Sequence, residues 1–199
     1  TQLFSEGGKS LRRAFCVLLA TLLWLAVGPL ASVRAEGLEF EAKPESLGDI
    51  PDPGFCFEFG DGLDVQFEVS GVESVEQVEV ELTIEHDWVG ELQADLIAPD
   101  GTGHALFGRT LAIAPNSAGS SAKLDGTYTF SDWAGSVPEA NWWLQALLAE
   151  YVRRAVPPGA YRTSGPGGVN AGMTALTSMD EAFEGAQANG TWTLRVRDI

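Results

Sequence analysis

The chain has 199 residues, of which 45% are hydrophobic, and its 28 acidic side chains outnumber its 12 basic ones to give a formal net charge of −16. The hydrophobic fraction is high enough for a packed core, which excludes an intrinsically disordered acidic tail. The charge argues against nucleic acid and anionic membrane surfaces as partners, because both are bound through basic patches. The length fits one domain with a short appendage.

Residues 1–35 have the pattern of a cleavable export signal. Arg12 and Arg13 precede an apolar run from Ala14 to Val27, and Val33-Arg34-Ala35 offers the small residues of a signal-peptidase site. The run is shorter than the roughly 20 residues that span a bilayer. We therefore predict cleavage after Ala35 and a secreted protein, extracellular or periplasmic, without a transmembrane segment. An uncleaved signal anchor is the alternative.

The rest of the chain divides into an acidic extended linker at residues 36–49 and a domain at residues 50–199. Cys56 is the only cysteine outside the predicted signal, so an intramolecular disulfide is excluded after cleavage. Because Cys56 lies between Phe55 and Phe57, we expect a half-buried side chain and not a reactive thiol.

From Phe55 onward, apolar and polar residues alternate in short segments, as in strands of a sheet with one solvated face. The predicted strands are Phe55–Phe59, Leu63–Val69, Val78–Ile84, Leu92–Ala98, His104–Phe107, Thr127–Phe130 and Thr191–Val196. Turns rich in Gly, Pro and Asp separate them. The pattern predicts an all-β fold, an antiparallel jelly-roll-like β-sandwich.

One segment, residues 138–152, has helical spacing instead. Its apolar positions are Leu144, Leu147, Leu148, Tyr151 and Val152, with Trp142 and Trp143 at the start. Apolar stripes usually bury, so we expect a short helix inserted between strands and packed on the sheet. A partner-binding helix, or an aromatic platform for carbohydrate at the two tryptophans, is the alternative.

No catalytic constellation is evident. The chain has two histidines, His86 and His104, and neither a Gly-x-Ser-x-Gly elbow nor a His-Glu-x-x-His motif. His86 shares the inward parity of its strand and is expected to be a hydrogen-bonded residue at the strand end, whereas His104 follows a turn. Calcium is an open alternative as a cofactor, because loops such as Gly60-Asp61-Gly62 offer oxygen ligands, but the spacing of a calcium-binding loop is absent.

Four motifs in order resemble the P domain, also called Homo B, of proprotein convertases and bacterial secreted proteases. The first runs from Ile84-Glu85-His86-Asp87-Trp88-Val89-Gly90-Glu91-Leu92 through Asp95 to the turn Pro99-Asp100-Gly101-Thr102. The others are Asp125-Gly126-Thr127-Tyr128-Thr129-Phe130-Ser131-Asp132, Pro157-Pro158-Gly159-Ala160-Tyr161-Arg162 and Asn189-Gly190-Thr191-Trp192-Thr193-Leu194-Arg195-Val196-Arg197-Asp198. The resemblance covers roughly residues 50–199.

The resemblance implies a β-sandwich that has no catalytic residues and that packs against a subtilisin-like serine endopeptidase domain, in the same polypeptide or a separate one. The signature residues are then structural, with Trp88 and Trp192 filling core space. They are His86, Trp88, Gly90, Leu92, Asp95, Pro99, Gly101, Thr102, Tyr128, Phe130, Gly190, Trp192, Leu194 and Asp198. The family pattern continues past the position of Ile199, so we expect the last strand to be missing from this sequence. The alternative function is a free-standing extracellular module for adhesion, with a protein or carbohydrate ligand.

Overall fold

The computed structural model describes residues 14–21, 32–35, 38–52, 60–134, 138–168 and 176–199, the first two ranges by their backbone alone. The predicted strand Phe55–Phe59 and Cys56 lie outside these residues. The strands are β1 (Ala14–Thr21), β2 (Ser32–Ala35), β3 (Leu38–Glu41), β4 (Leu63–Val69), β5 (Val75–His86), β6 (Gln93–Ile97), β7 (Gly103–Gly108), β8 (Leu124–Ser131), β9 (Gly159–Tyr161) and β10 (Gly190–Arg197). The α-helices are α1 (Trp142–Tyr151) and α2 (Met179–Phe183), and three 3-10 turns lie at Pro44–Ser46, Asp132–Ala134 and Pro138–Ala140.

Two four-stranded sheets form a sandwich. The β10 sheet has the order β4-β10-β6-β7 and is antiparallel throughout, whereas the β5 sheet has the order β1-β5-β8-β9. A separate pair, β2 and β3, joins the predicted export signal to the linker. Of the segments that the structure describes, no helix is long and apolar enough to cross a membrane.

The interior lies where the apolar alternation predicts it. Val78, Val80, Leu82 and Ile84 of β5 are at most 1% exposed, and the same alternation buries Trp192, Leu194 and Val196 of β10. Burying one face of each strand removes apolar surface from water and leaves the polar face solvated. The prediction of an all-β sandwich is therefore confirmed.

Two pairings depart from the predicted antiparallel fold: β1, which lies within the predicted export signal, runs parallel to β5, and β8 runs parallel to β9. A parallel pair needs a long crossover connection, and for β8 and β9 the segment that contains α1 provides it. β9 is not among the strands predicted from the sequence. The helix itself is confirmed: the side chain of Asn141 accepts a hydrogen bond from the Leu144 backbone N–H at 3.0 Å and caps its first turn.

The inserted helix packs at the point where the two sheets meet. The ring of Trp142 lies 4.7 Å from that of Phe107 in β7 and 5.2 Å from that of Phe130 in β8, measured between ring centres. Its indole N–H donates to the Thr110 hydroxyl at 2.9 Å, which satisfies the buried polar group. α1 is thus part of the shared core.

Candidate functional site

The histidine at the end of β5 joins the two sheets. His86 Nδ1 accepts a hydrogen bond from the Trp88 backbone N–H at 3.1 Å, and Nε2 lies 3.3 Å from a carboxylate oxygen of Asp198, which follows β10. When Nδ1 accepts this bond, Nε2 is the protonated nitrogen and donates a hydrogen bond to Asp198; Nδ1 also lies 3.2 Å from the Trp88 carbonyl oxygen, to which it donates in the other tautomer. Of the hydrogen bonds that the described residues show for His86, none goes to a nucleophilic side chain. The imidazole therefore acts as a clasp between the two sheets, whereas its strand parity predicted only a hydrogen-bonded residue at the strand end.

The segment that follows His86 is held by close backbone contact between Gly90 and the loop at residues 118–120. Gly90 donates to the Ser120 carbonyl at 2.9 Å, and a Cβ added to Gly90 would lie 2.2 Å from the Ala118 carbonyl oxygen. Only glycine fits at that distance. The expected core position of Trp88 is wrong: its side chain is 38% exposed, and its indole N–H donates to the Ala118 carbonyl at 3.0 Å. The indole N–H thus ties this half-exposed ring to the loop that contains Ala118.

The second turn of the signature ties β6 to the entry of β10. Gly101 has a φ of +89°, a left-handed conformation that glycine adopts without strain. The Asp100 carboxylate accepts hydrogen bonds from the backbone N–H groups of Thr102 at 2.9 Å and Gln187 at 2.8 Å. These two bonds hold the pKa of Asp100 below its usual value. The turn is consequently a structural joint between segments far apart in sequence.

The remaining signature residues are also structural in their contacts. The completely buried ones are Leu92, Tyr128, Phe130, Trp192 and Leu194. Asp95 pairs with Arg197 at 3.0 Å, and Gly190 packs against Pro99. No reacting group is assembled by this set.

The other histidine lines an open polar pocket with Arg162, Thr177, Ser178 and Glu181. Nε2 of His104 lies 3.1 Å from the Thr163 hydroxyl and 3.2 Å from that of Thr177. Burial lowers the pKa of His104, against an opposing effect of nearby Asp132 and Asp95. The Thr163 hydroxyl is itself buried and donates to the Thr177 carbonyl at 3.0 Å, so this polar group links two packed segments.

The carboxylate of Asp132, next to this pocket, binds the first residues of α2. Asp132 accepts hydrogen bonds from the Ser178 hydroxyl and from the backbone N–H groups of Met179 and Asp180 at 3.2 Å each. Ser178 in turn accepts from the Glu181 backbone N–H at 3.1 Å, which caps α2. The sequence analysis missed α2, although Ser178-Met179-Asp180-Glu181 has the Ser-x-x-Glu pattern of a capping box.

Neither a calcium site nor an aromatic platform is found in the residues described. In residues 38–52, 60–134, 138–168 and 176–199, no three His, Cys, Asp or Glu side chains converge in a way that could hold a metal ion. Trp142 and Trp143 are 0% and 2% exposed, so the carbohydrate platform proposed for them is wrong. The two rings bury because together they remove more apolar area from water than the leucines on the opposite face.

The apolar stripe of α1 was expected to pack on the sheet, and this expectation is wrong. Trp142, Trp143, Ala146 and Ala149 form the buried side instead. The opposite side leaves exposed a surface that we call the α1 patch, made of Leu147, Leu148, Tyr151 and Val152. An exposed apolar surface of this kind is a candidate contact surface.

One comparison with known proteins covers the first two of the four motifs. The sequence profile of the family described as "Proprotein convertase P-domain" matches residues 75–147, from the start of β5 into α1. No curated protein and no solved structure matches the chain. The motifs around Tyr161 and Trp192 lie beyond the matched range. Over residues 75–147, the resemblance to the P domain of proprotein convertases, a non-catalytic accessory domain associated with protease domains, is confirmed.

Proposed function

We propose that the chain is a secreted, non-catalytic P-domain module that stabilises or targets a serine endopeptidase. The observation that carries the proposal is the family match over β5 to α1, whose signature residues His86, Gly90 and Gly101 all serve to close the sandwich. Residues engaged in this way build a rigid body and carry out no chemistry. Such a body acts on a protease by packing against it.

The absence of chemistry can be tested with the purified full chain and casein as a general substrate. We expect no hydrolysis above the buffer control, and no difference between the wild type and His86→Gln. Hydrolysis by the wild type that disappears in His86→Gln or His104→Gln would overturn the non-catalytic assignment.

The accessory role needs a positive test. A serine protease encoded in the same polypeptide or beside it would be co-produced with this chain, and its inactivation half-life measured at raised temperature. We expect a longer half-life with the wild type than with Trp142→Ala, which damages the sandwich core. Equal half-lives in both mixtures would contradict a stabilising role.

We propose secretion on the pattern of residues 1–35 alone; cleavage after Ala35 removes β1 and β2 and leaves the other strands in the mature chain. The mass of the chain recovered outside the cytoplasm measures it directly. We expect a mature N-terminus at Glu36, because Val33 and Ala35 suit a signal peptidase. A full-length chain retained in the membrane fraction would support the signal anchor instead.

A further inference from the structure

The basic side chains downstream of the predicted export signal can all be compared, because the structure describes every one of them. Of the 12 lysines and arginines, four lie in residues 1–35, and the other eight lie in described ranges between Lys43 and Arg197. Endopeptidases with an acidic specificity pocket cleave a chain after such residues. The surroundings of the eight therefore show which peptide bonds an enzyme of this class can reach in the folded protein.

Six of the eight side chains are already engaged within the sandwich. The ion pairs are Lys43 with Glu68, Lys123 with Asp87, Arg162 with Asp132, Arg195 with Asp64 and Arg197 with Asp95. Arg109 donates to the carbonyls of Ala114, Pro115 and Ser117. A basic side chain must give up such partners before it can enter a specificity pocket, and that loss opposes binding.

The same six side chains are also flanked by the core. Each has a buried residue directly beside it in the sequence, and these neighbours are Ala42, Gly108, Thr110, Ala122, Leu124, Tyr161, Thr163, Leu194 and Val196. A protease binds residues on both sides of the cleaved bond in an extended conformation. Cleavage at any of the six would therefore draw core residues into water.

Arg153 and Arg154 differ from the other six in both respects. Both side chains are exposed, and neither forms an ion pair or a hydrogen bond with the residues that the structure describes. They belong to residues 150–155, which extend from the last turn of α1 toward β9 and contain no buried side chain. Just before them, Tyr151 and Val152 are 87% and 54% exposed. This segment can enter the cleft of another protein without removing a side chain from the core.

The backbone of this segment is also easier to open than a strand. α1 ends where Arg153 adopts a left-handed φ of +54°, and the N–H groups of Arg153 and Arg154 donate to the carbonyls of Glu150 at 3.0 Å and Ala149 at 2.9 Å. Helix ends open at a low cost in free energy. Arg195, in contrast, lies in β10, which pairs with β4 on one side and β6 on the other. Opening that strand would unfold the β10 sheet.

We propose that the turn formed by Arg153 and Arg154 is a processing site, where an endopeptidase that cleaves after arginine or lysine cuts the folded chain. Hydrolysis after Arg154 adds one water across the peptide bond, so that Arg154 gains a carboxylate and Ala155 gains an amino group. The other six basic positions of residues 36–199 stay intact while the sandwich is folded. Because any endopeptidase of this class can act there, the site is independent of the accessory role proposed above.

Cleavage at this turn leaves a sandwich made of two pieces. The downstream piece contains β9 and β10, and β10 pairs with β4 and β6 of the upstream piece. The Val156 N–H donates to the Lys123 carbonyl at 2.8 Å, which holds the new end beside β8. The new carboxylate of Arg154 lies at the negative end of the α1 dipole, where it is unfavourable. We expect the last turn of α1 to fray, so that processing alters the α1 patch and leaves the core assembled.

Limited digestion of the full chain with trypsin tests the site. We expect the first cut within residues 36–199 to follow Arg153 or Arg154, and intact-mass measurement identifies the fragments. The double variant Arg153→Gln with Arg154→Gln should slow cleavage within residues 36–199 by at least about tenfold, because every remaining site needs a larger opening. A first cut after any of the other six residues, or a double variant cut as fast as the wild type, would overturn the proposal.

Lys123→Gln is the matched control for this digestion. Lys123 is exposed like the two arginines, but it is paired with Asp87 and flanked by buried residues. Its loss should leave the rate of the first cut unchanged. A rate that falls as far as in the double variant would mean that trypsin enters at Lys123, which contradicts the proposed site.

Chymotrypsin separates recognition of the arginines from accessibility of the segment. Tyr151 lies exposed in the same segment, so chymotrypsin should cut after it at the same rate in the wild type and in the double variant. Equal rates with chymotrypsin, together with the loss of cleavage by trypsin, would support the arginines as the recognised groups. A double variant that resists both enzymes equally would overturn that assignment, because the substitutions would then have tightened the segment.

The two-piece sandwich is tested on the trypsin product. We expect both fragments to elute together from a size-exclusion column in buffer and separately in urea, with a circular dichroism spectrum in buffer close to that of the uncut chain. Fragments that separate in buffer would show that the cut destroys the sandwich, and they would contradict processing of a folded chain.

Discussion

The outward faces of the two sheets carry different chemistry. On the β10 sheet, Arg195 lies in register with Asp64 on one side and Asp95 on the other, and its guanidinium donates to both carboxylate oxygens of Asp64 at 2.7 Å. Arg197 adds a bond to Asp95 at 3.0 Å. Opposite charges alternate across the three strands, and each cross-strand pair favours the native register.

The outward faces of β5 and β8 in the other sheet are acidic. Strands β5 and β8 contain no lysine or arginine, and Glu85 lies directly opposite Asp125. Among the described side chains, the hydroxyls of Thr83 and Thr127 form a cross-strand hydrogen bond between β5 and β8 at 2.7 Å. The same inside–outside alternation therefore has different consequences: ion pairs stabilise one sheet, while the like-charge pair of Glu85 and Asp125 in the other costs stability.

The largest effect on stability is expected when a large side chain is removed from the interior that both sheets share. Trp142→Ala should lower the free energy of unfolding by about 3–5 kcal/mol, because it leaves a cavity between Phe107 and Phe130. Leu148→Ala, on the exposed side of the same helix, should change it by less than about 0.5 kcal/mol. Urea unfolding of both variants measures the difference. Equal losses would show that the helix is not part of the core.

A smaller effect is expected on the ion-paired face. Arg195→Met should cost about 1 kcal/mol, since Arg195 and Asp64 are partly exposed and solvent screens their attraction. The loss should shrink at high salt. A double-mutant cycle with Asp64→Asn isolates the pair. If the losses of the two single variants add up to the loss of the double variant, the pairing of Arg195 with Asp64 contributes nothing to the free energy of unfolding.

A charge substitution on the acidic face of β5 and β8 should raise the free energy of unfolding instead of lowering it. Glu85→Lys turns a like-charge pair with Asp125 into an attractive one, and we expect a gain of about 0.2–1 kcal/mol in the free energy of unfolding. Glu73→Lys makes the same charge change in the turn before β5 and is the control. The comparison of the sheets fails if both variants gain equally, because net charge alone would then explain the result.

The smallest effect is at the junction of the sheets, where Glu91 lies near His86 and Asp198. Burial, with the negative charge of Asp198, raises the pKa of Glu91, against an opposing effect of His86. A carboxyl whose pKa is higher in the folded than in the unfolded state contributes most to stability when it is protonated, below the pKa of the unfolded chain at about 4.3. This contribution to the free energy of unfolding is lost as the pH rises through the pKa of the folded state. Glu91→Gln should therefore be slightly more stable than the wild type at pH 7, by less than about 0.5 kcal/mol.

Thermal unfolding between pH 3.5 and pH 8 checks this sign. The advantage of Glu91→Gln should disappear at the acid end, where the wild-type carboxyl is protonated in both states. An advantage that grows on acidification would mean that the Glu91 carboxylate is stabilised in the folded protein.

The alternation in the sequence was enough to predict the sandwich, because burial of one face imposes a period of two. It could not orient α1: the helix sequence Trp142–Tyr151 is apolar on both sides, so periodicity does not say which side is buried. Nor could it find β9, whose three residues are too few to show a period.

Only those features of the candidate site that depend on local sequence could be predicted. The order of the signature motifs indicated the family, and the strand parity of His86 indicated its hydrogen-bonded position. Its partner Asp198 is 112 residues away in sequence, so the pair exists only once the sheets are assembled. The α1 patch depends on burial of the opposite side of the helix, which only tertiary packing reveals.

Strand β10, inside the β10 sheet, lies far downstream of both strands that it pairs with. Gly190–Arg197 pairs with Leu63–Val69 and with Gln93–Ile97, so both earlier strands wait during synthesis for a partner more than 90 residues downstream. Contacts of such separation close slowly. Until then, the edges of both strands are open to pairing with other chains. We expect Asp64, Glu68 and Asp95 on these strands to act as gatekeepers in that interval, so that the carboxylates that later pair with Arg195, Lys43 and Arg197 first keep the nascent chain apart from its neighbours.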